Sequence, residues 1–129
     1  MTTHTSSKTM HVTLWVVQIL VAATLLWAAV VKLLKPVAAV AAMWPWAGQV
    51  PVAVVKGTGL IDLLGALGLV LPGLLRMKPR LTAFAAVGVV LLMVCATVFH
   101  LTRGEADKIG FNVVFALLVA FVAWGRFKD

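Results

Sequence analysis

Four long apolar runs, separated by short segments that contain proline, glycine or charge, constrain the fold of this chain more than any other feature. The runs cover residues 12–34, 53–71, 81–102 and 109–124. About 20 apolar residues in a helix cross the ~30 Å hydrocarbon core of a bilayer, and a helix satisfies its own backbone hydrogen bonds there. The chain is 63% hydrophobic and 12% charged, whereas soluble domains are roughly half apolar and a quarter charged. The sequence therefore predicts an all-α fold, an integral membrane four-helix bundle.

The segments outside the runs indicate a single domain preceded by a tail. Residues 1–11 are mostly polar and small, which predicts a flexible N-terminal tail. Residues 12–127 then form one four-helix transmembrane domain, as expected for a chain of this length. Pro72 and Gly73 are expected to stop the second span at residue 71, because proline and glycine disfavour the interior of a helix.

The connection between the first two runs predicts a helix at the membrane surface. Residues 37–52 are apolar but are broken by Pro45 and Pro51, and two tryptophans flank Pro45. Tryptophan is enriched at the interface between lipid and water. We therefore expect a short interfacial helix at about residues 37–43.

The net charge of +7 indicates lipid rather than nucleic acid as the partner. The basic residues lie mostly at the ends of apolar runs, where they meet lipid head groups. Four spans place both termini on one side of the membrane. The loop with Arg76, Lys78 and Arg80 contains no acid, which favours cytoplasmic termini in a multi-pass protein of the cell membrane.

Polar residues inside the apolar runs indicate a site. Asp62 lies near the centre of the second span, where a carboxylate costs about 2.5–3.5 kcal/mol on insertion scales. It must therefore face the bundle and either find a partner or be protonated. Gly59 and Gly65 lie on the same face and allow another helix to approach. The residues expected to form a polar pocket with Asp62, on the side opposite the termini, are Lys32, Lys56, His100, Arg103, Glu105 and Asn112. All seven are candidates for ligand binding or a proton relay.

Each of these candidates also has a purely structural interpretation. Asp62 would serve equally as a counter-ion that fixes the register of two helices. Lys32 and Lys56 would extend toward the head groups, His100 would cap the third helix, and Asn112 would form an interhelical hydrogen bond. The sequence leaves both interpretations open.

Catalytic and metal-bound chemistry find little support. The single cysteine, Cys95, excludes a dithiol mechanism. His11 and His100 are expected at opposite membrane faces, which excludes a haem held by both of them. Neither a cluster of metal ligands nor a catalytic triad emerges. We therefore assign no catalytic residue and no metal site, and the sequence favours a protein without catalytic activity of its own.

Several segments resemble the DoxX-like family of small four-helix membrane proteins. Residues 56–72, KGTGLIDLLGALGLVLP, are similar to the second-helix signature of that family, approximately G-x-x-E-x-x-G-A-x-G-L-x-L-P. In the third span, residues 85–93, AAVGVVLLM, are followed by Ala96, His100 and the sequence RGE at 103–105, which also resembles the family pattern. Asn112 corresponds to an asparagine that opens the fourth helix.

This resemblance implies a membrane subunit or assembly partner of a redox-associated complex, with a polar pocket around Asp62 and His100. The family usually has glutamate where this chain has Asp62, so contacts of this shorter carboxylate are shifted. One alternative is a quinone-handling oxidoreductase subunit, in which quinone is the cofactor and both residues exchange protons with it. Another is a small-molecule binder or transporter that uses the same pocket. The implied partners are the bilayer and either another membrane protein or a second copy of this chain.

Overall fold

Five α-helices form the chain in the computed structural model, which describes the backbone of residues 2–128 and the side chains of residues 8–128. The helices are α1 (Thr2–Leu34), α2 (Val37–Met43), α3 (Val52–Leu74), α4 (Pro79–Thr102) and α5 (Gly110–Lys128). Short 3-10 turns at Pro45–Gly48 and Ala106–Lys108 complete the connections. All except α2 are long and apolar enough to cross a membrane. The predicted four-helix membrane fold, with a short helix between the first two spans, is confirmed.

The first helix begins earlier than the sequence predicted. It starts at Thr2 instead of residue 12, so it includes residues that we assigned to the N-terminal tail. Residues 2–11 contain no proline or glycine, and nothing therefore interrupts the helix before the apolar run. Met1 and the side chains of residues 1–7 lie outside the described part of the chain, and the flexibility of the tail stays a prediction.

Two later helices extend further than expected. α3 continues through Pro72 to Leu74, because a proline in the last turn removes only one helical hydrogen bond. The chain then turns at Arg76, which has a positive φ of 56°. α5 reaches Lys128 rather than residue 124, because its last residues stay packed on the bundle.

The four long helices form two closely packed pairs, α1 with α3 and α4 with α5, and contacts between the pairs are fewer. The tight contacts between pairs occur at mid-depth and toward the end of the bundle that carries the termini, here called the terminal end. There, Leu14 of α1 packs on Gly125 of α5, where an added Cβ would lie 2.6 Å from the leucine. An added Cβ at Gly65 of α3 would likewise lie 2.8 Å from Val89 of α4.

The core and the outer surface of this bundle are both apolar. Val21, Leu69, Val119 and Val122 are buried at the centre. Leucines on the outside of every long helix are more than half exposed; they include Leu20, Leu64, Leu91 and Leu117. Water would not tolerate such a surface, whereas the hydrocarbon of a bilayer does. The chain is therefore a multi-pass membrane protein.

Candidate functional site

The two helix pairs enclose a pocket of about 710 Å³ at the end opposite the termini. All four long helices and the connection between α2 and α3 contribute to its wall. Its polar lining residues are Thr24, Lys32, Thr58, Asp62, His100, Glu105, Lys108 and Asn112. Its aromatic lining residues are Trp27, Trp44, Trp46, Phe99, Phe111 and Phe115. The pocket thus combines a few polar groups with a largely apolar wall that includes aromatic rings, as small-molecule sites commonly do.

Deep in this pocket, Asp62 forms an ion pair with Lys32. The lysine Nζ donates to Oδ2 of Asp62 over 2.8 Å, and the carboxylate side chain is 3% exposed. Helices α1 and α3 come close enough for this ion pair because Gly59 of α3 lies against Lys32 of α1. A Cβ added at Gly59 would be 2.8 Å from the lysine Cβ. The lysine ammonium also lies 5.6 Å from the ring centroids of both Trp44 and Trp46. The predicted inward orientation of Asp62 is observed, and its partner is Lys32.

Lys56 lies outside the pocket and binds the end of α1. Its Nζ donates to the carbonyl oxygen of Lys32 over 2.7 Å and to that of Leu33 over 3.2 Å. These carbonyls belong to the last turn of α1, where they have no partner within the helix. Lys56 therefore does not line this pocket, because the carbonyls at the end of α1 bind its ammonium. Its role in ligand binding stays a prediction.

At the mouth of the pocket, the carboxylate of Glu105 contacts three basic groups. His100 Nδ1 and Arg103 Nε each lie 3.0 Å from Oε1 of the glutamate, and Lys108 Nζ lies 3.8 Å from Oε2. Since a carboxylate only accepts, Nδ1 carries the proton of His100 in this contact. The hydrogen bond from His100, then that from Arg103, lowers the pKa of Glu105 below its ordinary value. Gly104, with φ of +73°, forms the turn after α4 that brings Glu105 back against His100.

A latch joins the α2–α3 connection to the end of α4. Arg103 Nη2 donates to Oε1 of Gln49, and the rings of Trp46 and Phe99 meet edge to face at 6.1 Å. Arg103 was expected to line the pocket, but instead it holds this latch and Glu105. Gln49 was not among the sequence candidates, although it is the one polar residue between Pro36 and Pro51, which could have marked it.

The remaining candidates lie in the wall of the pocket. Asn112 lines it one turn from Phe115 on α5. Five of the seven predicted residues thus meet around one cavity, whereas Lys56 and Arg103 hold the elements that border it. Within the side chains that the structure describes, no three His, Cys, Asp or Glu residues lie close enough together to hold a metal ion.

A second polar cluster, at the terminal end, was not predicted. Arg126 is 4% exposed, and its Nε donates to Oε1 of Gln18 over 2.7 Å. Gln18 donates from Nε2 to the carbonyl oxygen of Leu69 over 2.6 Å, and Arg126 Nη1 donates to Nδ1 of His11 over 3.0 Å. The cluster ties α1, α3 and α5 together. The spacing of Val122 and Arg126, one turn apart on the buried face of α5, could have revealed it.

The arrangement of charge favours a neutral ligand group deep in the pocket, where Lys32 and Asp62 form a one-to-one ion pair. The mouth carries an excess of positive charge, because Arg103 and Lys108 both contact the single carboxylate of Glu105. A flat molecule with hydrogen-bonding groups could stack on the tryptophans and reach Lys32, His100 or Asn112.

Comparison with known proteins gives one match. The family model described as the DoxX-like family matches residues 16–122, a region that contains every residue of the pocket. No curated protein and no solved structure matches the chain.

Proposed function

Since the chain belongs to the DoxX-like family, we propose that it is a membrane subunit or assembly partner of a redox-associated complex and holds a small lipid-soluble molecule around Asp62 and His100. The observation that carries this proposal is the pocket itself. Its volume of about 710 Å³ falls in the range of roughly 300–1,000 Å³ that is typical of small-molecule sites. A purely structural bundle would fill such a space with side chains, because cavities destabilise.

A quinone is the class of ligand that matches the lining best. Its head group is flat and neutral with apolar ring faces, and the two carbonyl oxygens on its edge accept hydrogen bonds. Trp44, Trp46 and Phe99 offer aromatic surfaces, and Asn112 and Lys32 offer donors. Asp62 and His100 are titratable groups that both line the pocket, which suits a molecule whose redox states differ in bound protons. In this proposal the partner protein supplies the electrons, and this chain binds and orients the quinone.

We also propose an orientation in which the protein lies in the cell membrane with both termini in the cytoplasm. The loop between α3 and α4 carries Arg76, Lys78 and Arg80 at the terminal end, and short basic loops remain on the cytoplasmic side. The mouth of the pocket then faces away from the cytoplasm.

Co-purification tests the ligand and the partner together. We expect protein extracted in mild detergent to carry a quinone, identified by its ultraviolet spectrum after solvent extraction, and to show a native mass above the 13.7 kDa of one chain. Ala96→Phe, in the wall of the pocket, should lower the quinone content. Ala120→Phe, on the exposed face of α5, is the matched control and should retain it.

Two results would contradict this proposal. Quinone content that is the same in both variants would show that the quinone is held outside the pocket. If the bound molecule belongs to another class, the protein is still a small-molecule binder, but the assignment of quinone as its ligand is wrong.

A further inference from the structure

We propose that the pocket opens sideways into the bilayer between α1 and α5, and that this opening holds the hydrocarbon tail of the lipid-soluble ligand. The inference rests on the proposed function, because it assigns a second part of the same ligand. It concerns the route by which the ligand reaches the pocket and the chemical class to which it belongs.

The register of α1 against α5 locates the opening. The helices run antiparallel, and Leu14 packs on Gly125 at the terminal end. Moving about fourteen residues, or four turns, along each helix keeps nearly the same faces opposed. That step leads from Leu14 to Ala28 on α1 and from Gly125 to Phe111 on α5. Ala28 and Phe111 are therefore the residues that face each other across this interface toward the opposite end.

At this level the two helices border the pocket instead of packing tightly. Ala28 and Phe111 both line it, as do Thr24 and Phe115, which the same register places opposite each other. Of the four interfaces between neighbouring helices, the one between α1 and α5 has the least contact. Phe111 lines the pocket and is also 61% exposed, so its ring borders both the pocket and the outer surface beside this interface.

The chemistry of this opening, the gap between α1 and α5, suits hydrocarbon. Thr24 lies about 15 Å along α1 from its end at Leu34, which places the gap well inside the membrane, where acyl chains surround the protein. The hydroxyl of Thr24 donates to the carbonyl oxygen of Leu20 over 2.9 Å, so its methyl group is left to face a neighbour. The gap joins the polar groups around Asp62 to the bilayer, which fits an amphipathic molecule with a polar head and an apolar tail.

Photolabelling from within the bilayer tests the opening without any assumption about quinones. The wild-type protein would be placed in nanodiscs of phosphatidylcholine that carries a diazirine in one acyl chain. Phe115 is 5% and Met93 is 8% exposed, so a label on them requires that a chain enter the pocket. We expect labelling of both, in addition to outward residues such as Leu117.

A matched pair of substitutions separates entry through this gap from other routes. Ala28→Phe narrows the gap and should lower the labelling of Phe115 severalfold while that of Leu117 remains. Ala23→Phe adds the same ring on the exposed side of α1 and should change neither. Labelling confined to outward residues, or equal labelling of Phe115 in both variants, would overturn the inference.

Competition then identifies whose tail occupies the gap. A quinone with a decyl tail should displace the labelled lipid from Phe115, and a quinone without a tail should not. If neither displaces it, the gap holds a phospholipid chain and the assigned occupant is wrong. A pocket that is labelled by lipid but binds no quinone would retain the lateral opening and overturn the quinone assignment of the proposed function together with the assigned occupant. Labelling confined to outward residues in a protein that still binds quinone would overturn the inference alone.

Discussion

At the scale of single residues, the ion pair between Lys32 and Asp62 is the contact whose disruption should cost most. Removing one partner of a buried pair leaves the other charge uncompensated in a medium of low dielectric, at a cost of about 3–5 kcal/mol. Asp62→Asn should therefore destabilise the bundle by an amount of this order. The free energy of unfolding in mixed detergent micelles measures it.

The same ion pair predicts that the effects of the two substitutions on the free energy of unfolding are not additive. Lys32→Met added to Asp62→Asn removes the stranded ammonium and should restore much of the lost stability, because directly contacting residues couple strongly. Destabilisations by Lys32→Met and Asp62→Asn that simply add would show that the two side chains act independently, contrary to the 2.8 Å contact between them.

Lys56 offers a second test at this scale. Its ammonium binds two carbonyls in the last turn of α1 over 2.7 Å and 3.2 Å, and hydrogen bonds to a charged group contribute about 1.5–3 kcal/mol. Lys56→Met should destabilise the protein by roughly that amount, as measured by the unfolding transition. Lys35→Met, at an exposed position at the end of α1, is the control and should have little effect.

The lowered pKa of Glu105 predicts how the stability of the folded protein changes in acid. Because its hydrogen bonds with His100 and Arg103 lower the pKa of Glu105 below 4.5, this carboxylate stabilises the folded state above the ordinary pKa. That contribution is lost as the pH falls through the lowered value. The difference in thermal midpoint between the wild type and Glu105→Gln should shrink as the pH falls below 4.5. An unchanged difference in strong acid, or the same profile for the exposed neighbour Asp107→Asn, would contradict this role.

At the scale of elements, glycines set the distance between helices. Gly59 lies against α1 with no room for a Cβ, whereas Gly57 on the same helix has nothing within 4 Å. Gly59→Ala should force α1 and α3 apart and cost about 1–3 kcal/mol. Gly57→Ala should stabilise α3 by roughly 0.5–1 kcal/mol, because alanine loses less backbone entropy than glycine. Equal effects on the unfolding free energy would mean that close packing at Gly59 is not what holds the helices together.

The sequence predicted elements well where one physical requirement dominates. The apolar runs and their prolines located the four spans and α2, because bilayer thickness and missing backbone donors act locally. Helix ends were less predictable, since Pro72 and the polar residues before Val12 tolerate a helix without requiring one. The inward face of α3 was found because an unpaired Asp62 in lipid is costly.

At the scale of the whole molecule, the arrangement into two helix pairs was beyond reach of the sequence. Apolar periodicity shows which face of a helix is buried, but not which neighbour it meets or how far two helices diverge. The pocket lies between the two pairs, so its presence depends on that arrangement. For the same reason the buried position of Arg126 was missed, since its distance from the bundle axis depends on how closely α5 approaches Gln18 on α1.

Orientation in the membrane is tested by fusions to the C-terminus. A reporter that is active only outside the cytoplasm should remain inactive there, since the basic loop at Arg76, Lys78 and Arg80 favours a cytoplasmic terminal end. The same reporter placed after residue 107, at the opposite end of the bundle, should be active. Activity of the C-terminal fusion alone would reverse the proposed orientation.

Direct titration of the pocket tests the central claim, that this bundle holds a lipid-soluble ligand around Asp62 and His100. Trp27, Trp44 and Trp46 line the pocket, so replacing Trp15 and Trp124 by phenylalanine leaves reporters only there. In nanodiscs, a quinone with a short tail should quench their fluorescence saturably. Ala96→Phe should weaken this binding, and Ala120→Phe should leave it unchanged. Quenching that rises linearly without saturation, and equally in all three proteins, would show that the quinone only dissolves in the bilayer and would contradict the account.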